Sequence, residues 1–149
     1  QQMHSCWLSL FEECRESLLY HVSETVFFGR KNHLTEKTFK PIAMGMPFVI
    51  TGTQGSLAYL REYGFKTFSD IWDESYDLEQ DDFKRLEKIA NLLKELDSKT
   101  REEKQEIFSR CIPIIKHNWN HFYRGAFADV LWQELTTMME DIRDHLSDR

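Results

Sequence analysis

The chain is poor in cysteine. Its 149 residues include only Cys6, Cys14 and Cys111. An odd number cannot all pair, and no C-x-x-C is present, so neither a disulfide framework nor a zinc ribbon is expected. Cys6 and Cys14 are eight residues apart, on one face of a helix, and read as reduced core thiols in a reducing compartment. Positive charge is also short: 19 Lys and Arg stand against 25 Asp and Glu, a formal net charge of -6. That balance argues against nucleic acid as a partner, because phosphate backbones need a clustered basic surface. No apolar run approaches the roughly 20 residues that span a bilayer, and no signal peptide is visible. The expectation is therefore no membrane and a cytoplasmic location. No G-x-S-x-G frames a nucleophilic serine, and no repeat or low-complexity linker divides the chain, so residues 1–149 read as a single domain. The first residue, Gln1, is not Met and lies inside an amphipathic pattern, as in a piece of something longer.

What is present is apolar and aromatic: 41% of residues are hydrophobic and 13% aromatic, with eleven Phe and four Trp. This is enough for a real core. Met3 to Glu16 has the spacing of a helix, and Leu19 to Val22 that of a buried strand with Glu24 just past its carboxyl end. Thr35 is placed to cap a helix over 36–44, which Gly45 ends. Pro47 opens a wholly apolar strand, 48–51. Gly52 to Gly55 then turn the chain into a helix over 56–63, closed by Gly64, and 65–68 reads as a third strand. Strand, helix, strand, helix, strand implies a small parallel sheet with right-handed crossovers.

After residue 69 every signal is helical. Asp81 or Asp82 caps a helix with Phe83, Leu86, Ile89, Ala90, Leu93 and Leu96 as its apolar set. Thr100 and Glu103 form a capping box for a helix that reaches Ile112 before Pro113. A short helix over 114–123 follows, and a last one, 127–146, is expected to bury Val130, Leu131, Leu135, Met138, Met139 and Ile142. The fold class is α/β: a small parallel Rossmann-like sheet flanked by helices (about 17–68) with a helical C-terminal extension (about 69–149).

Three places could carry chemistry. The first is Thr35, Glu36 and Lys37 with Lys40. A helix start offers free N–H groups and the positive end of the dipole, a lysine adds a mobile charge, and a carboxylate beside them can accept ribose hydroxyls. The bland alternative is a capped helix with ordinary surface charges. The second is the turn at Gly52 and Thr53, which can cradle a phosphate but lacks the lysine and spacing of a Walker loop. The third, 70–82, is rich in acids yet lacks the central glycine of a calcium loop, and reads as a solvated loop with Trp72 and Tyr76 turned inward. His117 and His121 share a helical face without the glutamate of an H-E-x-x-H, and read as capping or core histidines. No metal site is expected.

The run Y-H-V-S-E-T, a short basic loop and then H-L-T-E-K-T-F-K-P-I-A-M-G-M-P-F-V-I-T-G resembles the donor-binding half of GT-B glycosyltransferases, of the fucosyltransferase-like kind. G-F-K-T-F with D-E-S-Y-D also resembles proteins of tailed phages. The resemblance implies that Glu36 contacts the nucleotide ribose, Lys37 the diphosphate, Arg30 a second phosphate oxygen, and that Glu24 lies near the donor sugar. It implies a nucleoside diphosphate sugar as substrate, GDP-sugar favoured, with no further cofactor. An acceptor domain, which carries the general base in such enzymes, has no counterpart here, so no catalytic residue is named. The transferase implied is a donor-side half that works only with a separate acceptor domain. The rival expectation is a non-enzymatic, phage-derived module on the same fold, gripping a host protein inside the host cytoplasm.

Overall fold

The computed structural model describes residues 11–29 and 33–147. The first helix, α1 (Phe11–Glu16), leads into strand β1 (Tyr20–Ser23); the residues before Phe11, with most of the helix expected from Met3, lie outside the described part. Helix α2 (Glu36–Met44), strand β2 (Phe48–Thr51) and helix α3 (Ser56–Glu62) follow. Beyond them come a single 3-10 turn (Ser75–Leu78) and the helices α4 (Asp82–Asp97), α5 (Arg101–Tyr123) and α6 (Ala126–Ser147).

Local chemistry explains most boundaries. The Thr35 hydroxyl accepts the Lys37 N–H at the start of α2. Gly45, left-handed at φ 69°, ends it. There the Gly45 N–H donates to Ile42 O and the Met46 N–H to Pro41 O, the paired bonds of a Schellman ending. Thr100 and Glu103 close the expected capping box on α5. β1 and β2 run parallel with Tyr20 opposite Phe48 and Ser23 opposite Thr51. Both faces of β2 are covered, which is why Phe48, Val49 and Ile50 are all buried. Together with Leu57, Leu60 and Phe68 they form the centre of the core. The molecule is thus mixed α/β, a two-stranded parallel sheet flanked by helices.

The third strand does not form. Residues 65–68 form no regular element, and although Phe65 and Phe68 are buried, they pair with no strand among the described residues. Their backbone groups are taken by side chains. The Asn118 amide accepts the Lys66 N–H at 2.8 Å and donates to Lys66 O at 2.8 Å, and the Phe68 N–H donates to Glu74 Oε1 at 2.7 Å. One amide on α5 thus supplies both bonds that a neighbouring strand would supply to one residue.

Four other expectations, three helical and one of a loop, are also corrected. Pro113 does not end a helix: α5 is continuous through it. Ser109, whose carbonyl loses its partner, and Pro113 itself are exposed, where water replaces the missing bond. On α4 the inward face is Arg85, Ile89, Leu92 and Leu96, while Phe83 and Leu86 face solvent; a buried arginine takes a core position, which turns the inward face away from the purely apolar series. On α6 the stripe Leu131, Leu135, Met138, Met139 and Ile142 is exposed, and Val130 is only half-buried. Among the residues of that helix whose burial is described, only Phe127, near its head, is buried in the core. A helical period identifies an apolar face without supplying its partner. Lastly, the acidic stretch is not simply solvated: Trp72 and Tyr76 point inward as expected, but Glu74 and Asp77 are buried with them.

Candidate functional site

The carboxyl ends of both strands meet the start of α2. Glu24 follows β1 and its N–H donates to Thr51 O at the end of β2, 2.9 Å away. Its carboxylate is buried and turns toward the helix. Oε1 accepts the Thr35 N–H at 3.0 Å and the Thr38 hydroxyl at 2.6 Å, and Oε2 accepts the Thr35 hydroxyl at 2.6 Å. Burial pushes the Glu24 pKa up, but the Thr35 and Thr38 hydrogen bonds and the charge of Lys37 outweigh it, and the net shift is downward. Glu24 is an ionised clamp holding the helix to the strand edge.

The first-turn N–H groups are therefore not idle. Thr35 N–H goes to Glu24, Lys37 N–H to Thr35 Oγ1, and Thr38 N–H to Thr35 O. The Glu36 carboxylate bonds its own N–H, then Lys37, and these contacts hold its pKa below the usual value. What remains open is a pair of side chains. The Glu36 carboxylate is 78% exposed and lies 3.3 Å from Lys37 Nζ, which also donates to the exposed Thr25 hydroxyl at 3.0 Å. Among the sequence candidates, Glu24, Thr35, Glu36 and Lys37 come together in this way.

The others do not all join them. Lys40 lies 5.9 Å from the Tyr20 ring, at the opposite end of β1, so the helix carries it away from the strand edge. Gly52 is at the right edge, but its carbonyl accepts from Arg85 Nε, and a Cβ there would sit 2.7 Å from Ser56 Oγ. Thr53 is buried; its carbonyl accepts the Ser56 N–H and hydroxyl, which builds the turn into α3. Arg30 lies outside the described residues.

Sequence reasoning missed Arg85. It is fully buried on α4 and ties the strand-end loops together. Nη2 donates to Phe27 O at 2.9 Å and to Asp82, Nε to Gly52 O at 3.2 Å, and Nη1 to Glu79 O at 3.0 Å, while the guanidinium lies 4.5 Å from the Phe27 ring. The one available signal was its place in the i, i+4, i+7 series with Ile89 and Leu92, where periodicity calls for an apolar residue.

A second charged cluster lies under α3. Asp77 accepts the Leu57 and Ala58 N–H groups at 2.9 and 3.0 Å, and Arg61 bridges Asp77 and Glu74. Burial raises the pKa of both acids despite these partners. At the other end of α3, His117 and His121 place Nε2 on the carbonyls of Gly64 and Tyr63, at 2.9 and 2.6 Å. They are the capping histidines the sequence suggested. Cys111 is buried, its thiol pushed up to about 12 by desolvation. Among the described residues no group of three or more His, Cys, Asp or Glu could hold a metal ion, and no helix is long and apolar enough to cross a membrane. Compared with known proteins, the chain matches no family model, no curated protein and no solved structure.

Proposed function

We propose that the chain is the donor side of a GT-B-like glycosyltransferase, a Rossmann-like unit that binds a nucleoside diphosphate sugar, GDP-sugar favoured. The observation that carries this is the exposed Glu36–Lys37 pair at the start of α2, held at the carboxyl edge of a parallel sheet by the buried Glu24 clamp. That edge is where open α/β sheets take ligands. A solvent-exposed pair of adjacent charges is weakly coupled and exchanges readily. On ligand arrival Lys37 turns from Glu36 to the diphosphate, and the released carboxylate accepts the ribose hydroxyls. Glu24 acts as a positioning residue, and Lys37 carries the charge that favours diphosphate as a leaving group. Transfer itself requires an acceptor side that brings its own base into register.

Calorimetric titration with GDP, UDP and their sugar conjugates, repeated on Lys37→Ala, tests this. Micromolar binding lost in the variant is the expected result; no heat with any nucleotide rejects the reading. A second reading has its own observation, the exposed apolar stripe on α6. On that reading the fold is a non-enzymatic module that grips a protein partner. Glu24 being satisfied inside the chain agrees with it, and nucleotide binding at Lys37 would count against it.

A further inference from the structure

The loop after β1 and the head of α4 present two phenylalanines to water. Phe28 is 64% exposed and Phe83 77% exposed, with ring centroids 6.4 Å apart and planes at 61°. Two large exposed rings side by side are unusual where nothing holds them, because each would gain by turning onto the core. Here they are held. Phe27, the neighbour of Phe28, stacks edge-to-face on it at 5.2 Å, and its own carbonyl and ring are fixed by Arg85. Phe83 stands two residues before that same arginine, on the same helix. A fully buried guanidinium thus fixes Phe27 under one ring and anchors the helix that carries the other, while both rings stay in solvent.

The platform also stands at a useful distance. Lys37 Nζ contacts the Thr25 hydroxyl at 3.0 Å, and Thr25 and Phe28 are three residues apart, which spans at most about 10 Å of chain. Resting on the nucleotide reading above, we infer that Phe28 and Phe83 form the subsite for the planar base of that nucleotide, which stacks on an open ring face while Lys37 and Glu36 take the diphosphate and ribose. Aromatic rings accept any base through its π-face, with little demand for hydrogen-bond readout. The subsite therefore supplies affinity, and discrimination among bases follows ring area, purines ahead of pyrimidines.

The test is titration of the whole chain with GDP, UDP and inorganic pyrophosphate, on the wild type and on Phe28→Ala, Phe83→Ala, Phe83→Trp and Lys37→Ala. Both rings are exposed, so thermal melts of the Phe variants should match the wild type and exclude misfolding. Loss of either ring is expected to weaken GDP about tenfold and to leave pyrophosphate binding unchanged. Phe83→Trp should keep or tighten the nucleotide, and Lys37→Ala should weaken all three ligands. Nucleotide binding that is unchanged in both Phe→Ala variants, or no tighter than pyrophosphate, overturns the base subsite and leaves the Lys37 site standing. Absence of binding by pyrophosphate and nucleotides alike overturns the site and the subsite together.

Discussion

Two regions of this molecule bury carboxylates against helix starts, and their acids respond in opposite senses. Glu24 meets α2 with three donors, two of them hydroxyls that turn to suit it, and its pKa falls. Asp77 meets α3 with two N–H groups and shares Arg61 with a second buried acid, Glu74, and both pKa values rise. The difference lies in how completely water is replaced. Desolvation is the largest single influence on all three acids; around Glu24 the hydrogen bonds and Lys37 together outweigh it, whereas around Glu74 and Asp77 the partners do not, and the charge of Asp77 raises Glu74 further. The first arrangement is tuned to hold a charge, the second to hold a shape.

Breaking each side should give unequal results. Asp77→Ala leaves the Leu57 and Ala58 N–H groups buried and unpaired, and should cost about 3 kcal/mol in urea unfolding. Glu24→Gln keeps the shape but offers one acceptor to three donors, and should cost about 2 kcal/mol; a change below a few tenths would mean that the clamp is idle. Thr38→Val removes one of the three donors at constant volume and should cost about 1 kcal/mol, while raising the pKa of Glu24.

The comparison sharpens with pH. Glu24, lowered from 4.5, contributes stability that is complete above that value and is lost as pH falls through its lower folded value. Glu74 and Asp77, raised from 4.5 and 3.8, contribute most below those values and lose it as pH rises through the higher folded ones. Subtracting the Glu24→Gln stability profile from that of the wild type should therefore leave a loss confined to the acid side. Subtracting that of Asp77→Asn should leave a slope of opposite sign, between the ordinary carboxyl range and neutrality. Slopes of the same sign would show that the two regions are alike after all.

What could be read from the sequence was whatever is written within a few residues. The cap at Thr35, the left-handed Gly45, the Thr100–Glu103 box and the apolar run of β2 depend on neighbours, and all stand where expected. What failed depended on distant partners. The 65–68 segment has the composition of a strand, but Asn118, fifty-two residues on, takes its hydrogen bonds. The same held at the site. Thr35, Glu36 and Lys37 are consecutive and were found together, whereas the role of Arg85 depends on carbonyls at Phe27 and Gly52, far earlier in the chain. Lys40 shows the limit of proximity in sequence: three residues beyond Lys37, it sits over Tyr20.

The Asn118 amide also bears on how the molecule assembles. Until α5 docks, the 65–68 segment carries the two core rings Phe65 and Phe68 with its Lys66 backbone groups unoccupied, the kind of free edge onto which another chain can zip. Helices form faster than contacts across fifty residues, so that interval recurs each time the chain folds. The plug that arrives with α5 closes it from within. A chain cut before α5 would carry the open edge permanently, and would be expected to gather into β-rich aggregates while the intact protein stays dispersed.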